Sequence, residues 1–334
     1  MNPTIKDVAK KANVSIATVS RVLNNLGGYS DKTKQKVNEA IRELGYQPNA
    51  IARGLINKRT HTIGVLFPNV SSNFSSDILQ GIEDYAHGRN YSVVVCNTDD
   101  DGKRTMKYLQ LLREKQVDGI IFSSSLLKEE YYEAIQAMNI PVVLVSAASN
   151  HTTVPYVKID DCLAACDAVE FLIGKGHRKI AMISGGKEDL LSGTPRVDGY
   201  MRALQKHQIP FDSRYLVYGD FRFESGCIQF ETLMRTVPEI TAVFAASDEM
   251  AIGVLSAAYK LGLRVPEDIS VIGFDGVQLA NMVVPPLTTV SQPLREMGKI
   301  ASETMIRCIE TGETLPGTIV SHSIIERQTV RTLA

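Results

Sequence analysis

The chain has 334 residues, of which 44% are hydrophobic and 22% charged, with a formal net charge of −1. This is a globular composition, which excludes an intrinsically disordered chain, and the length exceeds what one small core organises, so two or three domains are expected. The charge is unevenly placed: residues 1–60 carry 11 Lys+Arg and 4 Asp+Glu, net +7, and the remainder is net −8, so a polyanionic partner is expected for the amino-terminal part alone.

The first residues, MNPTIKDVAKKA, put acid and base where a signal peptide requires an apolar stretch. No later run reaches the roughly 18 apolar residues of a membrane span. A cytoplasmic protein with no membrane association is expected. Thr4, with Asp7 three residues on, reads as the start of a first helix whose inner stripe is Ile5, Val8, Ala9 and Ala12. Asn13-Val14 forms a tight turn, and Ser15 caps a second helix with Val19, Val22 and Leu23 inward at spacing i, i+3, i+4. Its opposite side carries Ala17, Ser20, Arg21 and Asn24, with Ile16 and Thr18 at the margins. A merely solvated face would carry Glu and Lys; this one is small and nearly bare. A third helix is expected from about Asp31 to Leu44, with Gly45 as its stop. Two short helices joined by a tight turn and braced by a third make a helix-turn-helix headpiece over residues 1–47.

Residues 48–60 read as a hinge helix and linker. Pro48 suits a first helical position, and Ile51, Ala52 and Leu55 fall on one side, but about eight residues cannot hold a helix alone in water. From Thr62 onward strand and helix alternate: TIGVLF, a helix from about Ser75 to Gly88, YSVVVCN, a helix through Leu109 and Leu112, GIIFSS, a helix near 129–138, and PVVLVS. After VPYVKID the alternation restarts with a helix over 161–174, KIAMIS, a helix over 196–207, YLVYG, a helix over 224–235, AVFAAS, a helix over 248–261, and ISVIGFD. Continuous apolar strands separated by helices imply parallel sheets covered on both faces. The fold class is α/β: the all-α headpiece is followed by two doubly wound parallel-sheet lobes facing each other across a cleft. Lobe 1 is expected over about 61–160 plus 291–320, and lobe 2 over about 161–290 plus 321–334, with the last helix (about 293–311) and strands near 318–330 returning across the junction.

Small residues on an exposed helix face allow close approach to another surface. In a DNA major groove, Ile16 and Ala17 touch thymine methyls, Arg21 forks onto guanine O6 and N7, and Asn24 reaches a base or phosphate. Thr18 and Ser20, with Ser15, Lys6, Lys10, Lys32 and Lys34, suit phosphate positioning. A three-helix bundle for protein docking is the alternative, and the local +7 argues against it.

The stretches TIKDVAKKANVSIATVSRVLN, LGYQPNAIARGL and TIGVLFP, followed in order by GHRKIAMI, PRVDGY, AASDEMAIG, ISVIGFDG and LTTVSQP, resemble the lactose-repressor (LacI/GalR) family of bacterial transcription regulators nearly end to end. The resemblance implies a periplasmic-binding-protein-like core and a homodimer on a pseudo-palindromic operator in double-stranded DNA. It also implies that the hinge helices pair in the central minor groove, where Ala52 and Arg53 approach the DNA and Leu55 acts as a wedge. A small-molecule effector between the lobes is implied to set operator affinity, with no other cofactor and no metal. By the same resemblance Arg196 and Asp275 grip the effector, Phe74 and Phe221 form apolar walls, and Asp160, Ser247 and Asp248 add polar lining. Alternatives for these residues are an Arg196 pairing with Asp275 or Asp248, and an N-cap role for Asp248. Arg196 is notable on its own, because a cation in the first turn of a helix opposes the helix dipole. The chain has Ser146-Ala147-Ala148 where several sugar-responsive members place an Asp. A sugar phosphate or larger glycoside therefore stays open beside a simple sugar, with Arg196, Lys187 or Arg222 as phosphate partners.

No GxGxxG after a strand, GxxxxGK[ST], HExxH or GxSxG is present, so no enzyme is expected, and His177 reads as a structural residue before a strand. The five Cys lack zinc spacing and are expected as buried reduced thiols. Two further alternatives remain. A sugar-binding protein would leave residues 1–60 unexplained. A catabolite-control-type regulator would bind a phosphorylated carrier protein as corepressor through Arg295, Lys299 and Arg307.

Overall fold

The computed structural model describes residues 3–23, 26–46, 59–99, 102–124, 126–149 and 151–333. The chain divides into two compact units, Met1–Thr60 and His61–Ala334. In the first, α1 (Ile5–Ala12), α2 (Ile16–Leu23) and α3 (Asp31–Leu44) enclose Val8, Ala9, Ala12, Val19, Val22, Val37 and Ala40. Asp7 reaches back to the Thr4 backbone N–H at 2.8 Å, Ser15 Oγ accepts from Thr18 N at 3.1 Å, and Ser30 Oγ accepts from Thr33 N at 3.2 Å, so each helix start is closed by a side chain of its own. Position 47 and positions 48–58 of the expected hinge lie outside the described residues.

The second unit holds two six-stranded sheets. One is built from β1 (Thr62–Phe67), β2 (Ser92–Asn97), β3 (Gly119–Ser123), β5 (Val142–Val145), β7 (Tyr156–Lys158) and β13 (Thr318–Ile319), all parallel, in the order β13-β7-β5-β3-β1-β2. The other joins β8 (Ile180–Ser184), β9 (Leu216–Tyr218), β10 (Ala242–Ala245), β11 (Ser270–Asp275) and β12 (Thr288–Ser291) in parallel and adds β14 (Ser323–Ile325) antiparallel to β12. The central strands β1, β3, β5, β8, β10 and β11 are buried almost throughout, as their unbroken apolar sequences require. A two-stranded pair, β4 (Leu126–Leu127) with β6 (Ala148–Ser149), lies outside both sheets.

Helices α4 (Asn73–Gly88), α5 (Thr105–Glu114) and α6 (Glu129–Gln136) alternate with the strands of lobe 1, and α7 (Asp161–Gly174), α8 (Gly193–Lys206), α9 (Phe223–Thr236) and α10 (Asp248–Lys260) with those of lobe 2. Helix α11 (Leu294–Thr311) follows a lobe 2 strand but packs on α4, β3, β5 and β7 of lobe 1. The chain thus crosses between lobes three times: at 159–161, at 291–294 and at 319–323. Two helices start earlier than expected. Ser72 caps α4, so it begins at Asn73, and Asp189 ties the backbone N–H groups of Leu191 (2.9 Å) and Gly193 (2.8 Å), so α8 begins at Gly193 with Pro195 as its third residue. All five Cys are free thiols; Cys96, Cys166 and Cys308 are buried as expected, but Cys162 and Cys227 are half-buried. His177 is buried, with its ring nitrogens on the Thr241 hydroxyl and the Arg331 carbonyl.

Helices α4 and α11 meet backbone to backbone. A Cβ added at Gly81 would lie 1.9 Å from the Arg295 carbonyl oxygen, and one at Gly298 would lie 2.1 Å from that of Ile78. We expect Gly81→Ala or Gly298→Ala to destabilise the second unit by about 1–3 kcal/mol, read as a lower urea midpoint at unchanged slope. Gly88→Ala, with nothing within 4 Å of the new methyl, is expected to be neutral or stabilising.

Candidate functional site

On α2, Ile16, Ala17 and Arg21 are exposed, and Ile16 keeps 45% of its surface in solvent. Thr18 and Ser20 are half-buried, and the Thr18 hydroxyl is shared with Ser15 at 2.9 Å. The exposed side of α2 is therefore an apolar residue, a methyl and one guanidinium, and Lys6, Lys10, Lys32 and Lys34 are also exposed. Asn24, Ala52, Arg53 and Leu55 lie outside the described residues.

In both sheets the strand order reverses beside the first strand, between β1 and β3 and between β8 and β10, and the loops at these carboxyl ends frame a crevice. The crevice is a cavity of about 280 Å³ between the lobes, lined by both. Lobe 1 contributes Asn69, Ser72, Phe74, Ser75, Ser124, Ser146 and Lys158; lobe 2 contributes Asp161, Asp189, Arg196, Phe221, Arg222, Ser247, Glu249 and Asp275, and Gln292 comes from the second crossing. Four non-glycine residues here have positive φ: Ser124 (52°), Ser146 (47°), Phe221 (67°) and Asp275 (121°). Such backbone is strained and persists only where its surroundings over-determine it.

Arg196 shows how. It is 5% exposed in the first turns of α8, against the helix dipole. Its Nε and Nη2 both donate to Asp161 Oδ1 at 2.9 Å, Nη1 donates to the Ala246 carbonyl, and the guanidinium lies 3.7 Å from the Phe274 ring centroid and 5.8 Å from that of Phe221. The charge is thus matched by a carboxylate, a carbonyl and an aromatic face, which together hold the side chain on the cavity wall. The Phe221 ring packs on Gly185, where a Cβ would lie 2.0 Å from its Cζ, and the Phe221 carbonyl accepts from Ser247 Oγ at 2.9 Å.

Asp275 is 8% exposed and accepts from Gln292 Nε2 at 2.9 Å. Burial raises its pKa to about 7, opposed mainly by Arg196 and then by the Gln292 hydrogen bond. Glu249 is also pushed up by burial, opposed by Arg222 and by a hydrogen bond with the backbone of Asn73, which links α10 of lobe 2 to the start of α4 in lobe 1.

Two expected lining residues stand elsewhere. Asp160 is exposed and caps α7 through the Leu163 N–H at 2.9 Å, and its neighbour Asp161 faces the cavity instead. Asp248 is fully buried outside the lining. It is not the N-cap of α10, since Ser247 Oγ takes the Met250 N–H at 3.1 Å. The Asp248 carboxylate accepts from Gly276 N (2.8 Å), Val277 N (2.9 Å) and Thr289 Oγ1, and burial followed by the nearby Asp275 drives its pKa well up. Neither carboxylate offered as a pairing partner of Arg196 hydrogen-bonds it; Asp161 does. Of the phosphate candidates Arg222 lines the cavity and Lys187 does not. Sequence reasoning missed Asp161, Glu249, Gln292 and Lys158. Only Asp161, beside Asp160, left a signal. Among the described residues no group of three or more His, Cys, Asp or Glu is arranged to hold a metal ion, and no helix is long and apolar enough to cross a membrane.

A helix-turn-helix headpiece with a bare outer face and a two-lobed body with a polar interlobe cavity define a ligand-responsive, DNA-binding transcription regulator. Residues 4–49 match the model of bacterial regulatory proteins of the lacI family, and residues 60–328 match that of periplasmic binding proteins and the sugar-binding domain of the LacI family. The chain belongs to the LacI family of bacterial regulatory proteins. It is 41% identical to catabolite control protein A of Priestia megaterium over 99% of this chain and 100% of that protein. It is also similar to the lac repressor dimer bound to operator and the anti-inducer ONPF, with a TM-score of 0.88, 29% identity, and coverage of 99% of this chain and 100% of that one. A third similar structure is a LacI-family regulator of Enterococcus faecium with bound ribose, with a TM-score of 0.75, 27% identity, and coverage of 82% and 100%.

Because the Asp275 carboxyl is harder to ionise in the folded chain than in the unfolded one, its contribution to stability is complete below about pH 4 and is lost as pH rises towards about 7. The thermal midpoint of the wild type relative to Asp275→Asn is expected to fall across that window. A difference that stays flat with pH would contradict it.

Proposed function

We propose that the protein represses carbohydrate-related genes by binding a pseudo-palindromic operator as a homodimer through α2, and that a small hydroxyl-rich effector in the interlobe cavity sets the affinity. The observation that carries this reading is the clamp of Arg196 and Asp275 with Phe74 and Phe221: a guanidinium, a carboxyl group and two aromatic rings that line one cavity between the lobes. Aromatic faces suit the apolar side of a sugar ring, while carboxylates and a guanidinium take its hydroxyls. The lining carries five carboxyl groups (Asp161, Asp189, Asp220, Glu249, Asp275) beside three cations (Lys158, Arg196, Arg222), and Arg196 is already paired with Asp161, which favours a sugar or glycoside that offers hydroxyl donors over a sugar phosphate. Exposed apolar side chains on α9, α10 and the segment after β11, namely Ile228, Tyr259, Met282 and Val284, support a partner copy on lobe 2. The headpiece residues Ile16, Ala17, Thr18, Ser20, Arg21 and Asn24 read the operator, and Ala52, Arg53 and Leu55 complete the hinge contact.

A second reading, a phosphorylated carrier protein docking on α11, is favoured by the similarity to catabolite control protein A. Two of its three cations are already engaged within the chain, Arg295 with Asp77 and Lys299 with Glu296, both at 3.0 Å. Saturating carrier protein that left operator affinity unchanged would remove it.

Screening sugars, glycosides, sugar phosphates and nucleobases by thermal shift should find a ligand that raises the midpoint of the body by mass action. Arg196→Lys, which keeps the charge but lacks the fork, should then weaken that ligand at least about tenfold. If no such compound shifts the midpoint, the cavity is not an effector site for these classes. On an operator selected from random duplexes, Arg21→Ala should cost about 1–3 kcal/mol and relax one base position. Leu55→Ala should weaken operator binding without changing effector affinity, and selection that yields no palindrome would refute the dimeric reading.

A further inference from the structure

Each charged residue of the clamp is tied to a point where the chain passes between lobes. Arg196 is held by Asp161, on the first crossing. Asp275 is held by Gln292, on the second, and here the attachment is threefold. Gln292 Nε2 donates to Asp275 Oδ1 at 2.9 Å, Gln292 N donates to the Asp275 carbonyl at 3.0 Å, and the next residue, Gly276 (φ 76°), packs so closely on Ser291 that a Cβ would lie 2.5 Å from its hydroxyl. Gln292 is 5% exposed and its carbonyl accepts the Leu294 N–H at 2.8 Å, which opens α11, the helix seated on lobe 1. From the other side Asp248 fastens the backbone of Gly276 and Val277 to Thr289 on β12, the strand that runs into the crossing. Asp275 is therefore fastened to the crossing through both its side chain and its backbone.

We infer that Gln292 is the positioning residue that couples Asp275 to the second crossing, converting occupancy of the cavity into a change at the base of α11 and so in the relation of the two lobes. This rests on reading the cavity as the effector site. Coupling between sites needs differential contacts in two states, and a rigid side-chain link from a ligand residue to a crossing segment supplies one. Gln suits the role because its amide donates to the carboxylate whatever the ligand does, and its charge does not change when the carboxylate takes a proton.

The test uses the full-length protein with no ligand added and reads amide hydrogen exchange at residues 292, 294 and 297. Asp275→Ala removes the acceptor and Gln292→Met the donor; each should speed exchange there about tenfold. The double variant should add nothing to the larger single effect, because one link is broken in all three. Gln292→Asn, which keeps the amide but is one methylene short, serves as a second version where the Met variant does not fold. Unchanged exchange at these amides in Asp275→Ala, or single effects that multiply in the double variant, would reduce Gln292 to a space-filling residue and overturn the inference. Since no ligand enters the measurement, a cavity that binds none of the screened compounds would sink the effector reading without altering this result.

Discussion

The buried pairing of Arg196 with Asp161 is the constraint around which lobe 2 is arranged. A guanidinium removed from water costs several kcal/mol unless its donors and its face are matched. The matching groups come from four separate places: a carboxylate at the first residue of α7, a carbonyl just past β10, the Phe274 ring on β11 and the Phe221 ring after β9. They meet only if the carboxyl ends of those strands lie side by side, which the order β11-β10-β8-β9 provides. The same pairing fixes where the chain enters lobe 2, since Asp161 is both the arginine's partner and the start of α7. One buried ion pair thus sets the cavity floor and anchors a crossing between lobes.

How far the sequence could be read follows from what each feature depends on. Central strands such as GIIFS and AVFA and helices such as 31–44 and 161–174 are visible because their periodicity or unbroken apolarity has no competing explanation. Two-residue strands such as Leu126–Leu127 carry no period at all and are held only by a neighbour distant in sequence. At two helix starts the site was legible to within one residue. Asp160 and Asp161, like Ser247 and Asp248, are adjacent polar residues at a helix start, where the first caps and the second turns inward by about 100°. Choosing between them requires the helix phase to single-residue precision, which boundary signals do not give. Lys158, Glu249 and Gln292 were beyond reach for another reason: each faces the cavity because of how the two lobes close, a relation between segments that local patterns do not encode.

The charge division separates two physical tasks. The headpiece has its positive charge on exposed lysines around a helix whose outward face is small, so that electrostatic attraction is long-ranged while the contact itself is close and shape-dependent. The body carries the compensating negative charge, part of it inside the cavity, where carboxylates are costly to keep ionised and where burial pushes Asp275 and Glu249 towards their neutral forms. Any hydrogen-bond donor brought against these oxygens relieves that cost.

Strain is concentrated in the same place. Ser124, Ser146, Phe221 and Asp275 all have positive φ at the carboxyl ends of strands, directly on the cavity wall. Each is held by bonds to its neighbours: Ser124 N to the Val145 carbonyl, Ser146 N to that of Val157, the Phe221 carbonyl to Ser247, and Asp275 to Gln292. These bonds run from strand to strand across a lobe or out to a crossing, so relaxing any one of the strained residues moves the next element along. A ligand that changes the balance at one of them acts on an arrangement with stored local strain, and such an arrangement passes from one packing to another more readily than it deforms gradually. The cavity wall is therefore also the part of the body from which a small ligand can most readily shift the lobes.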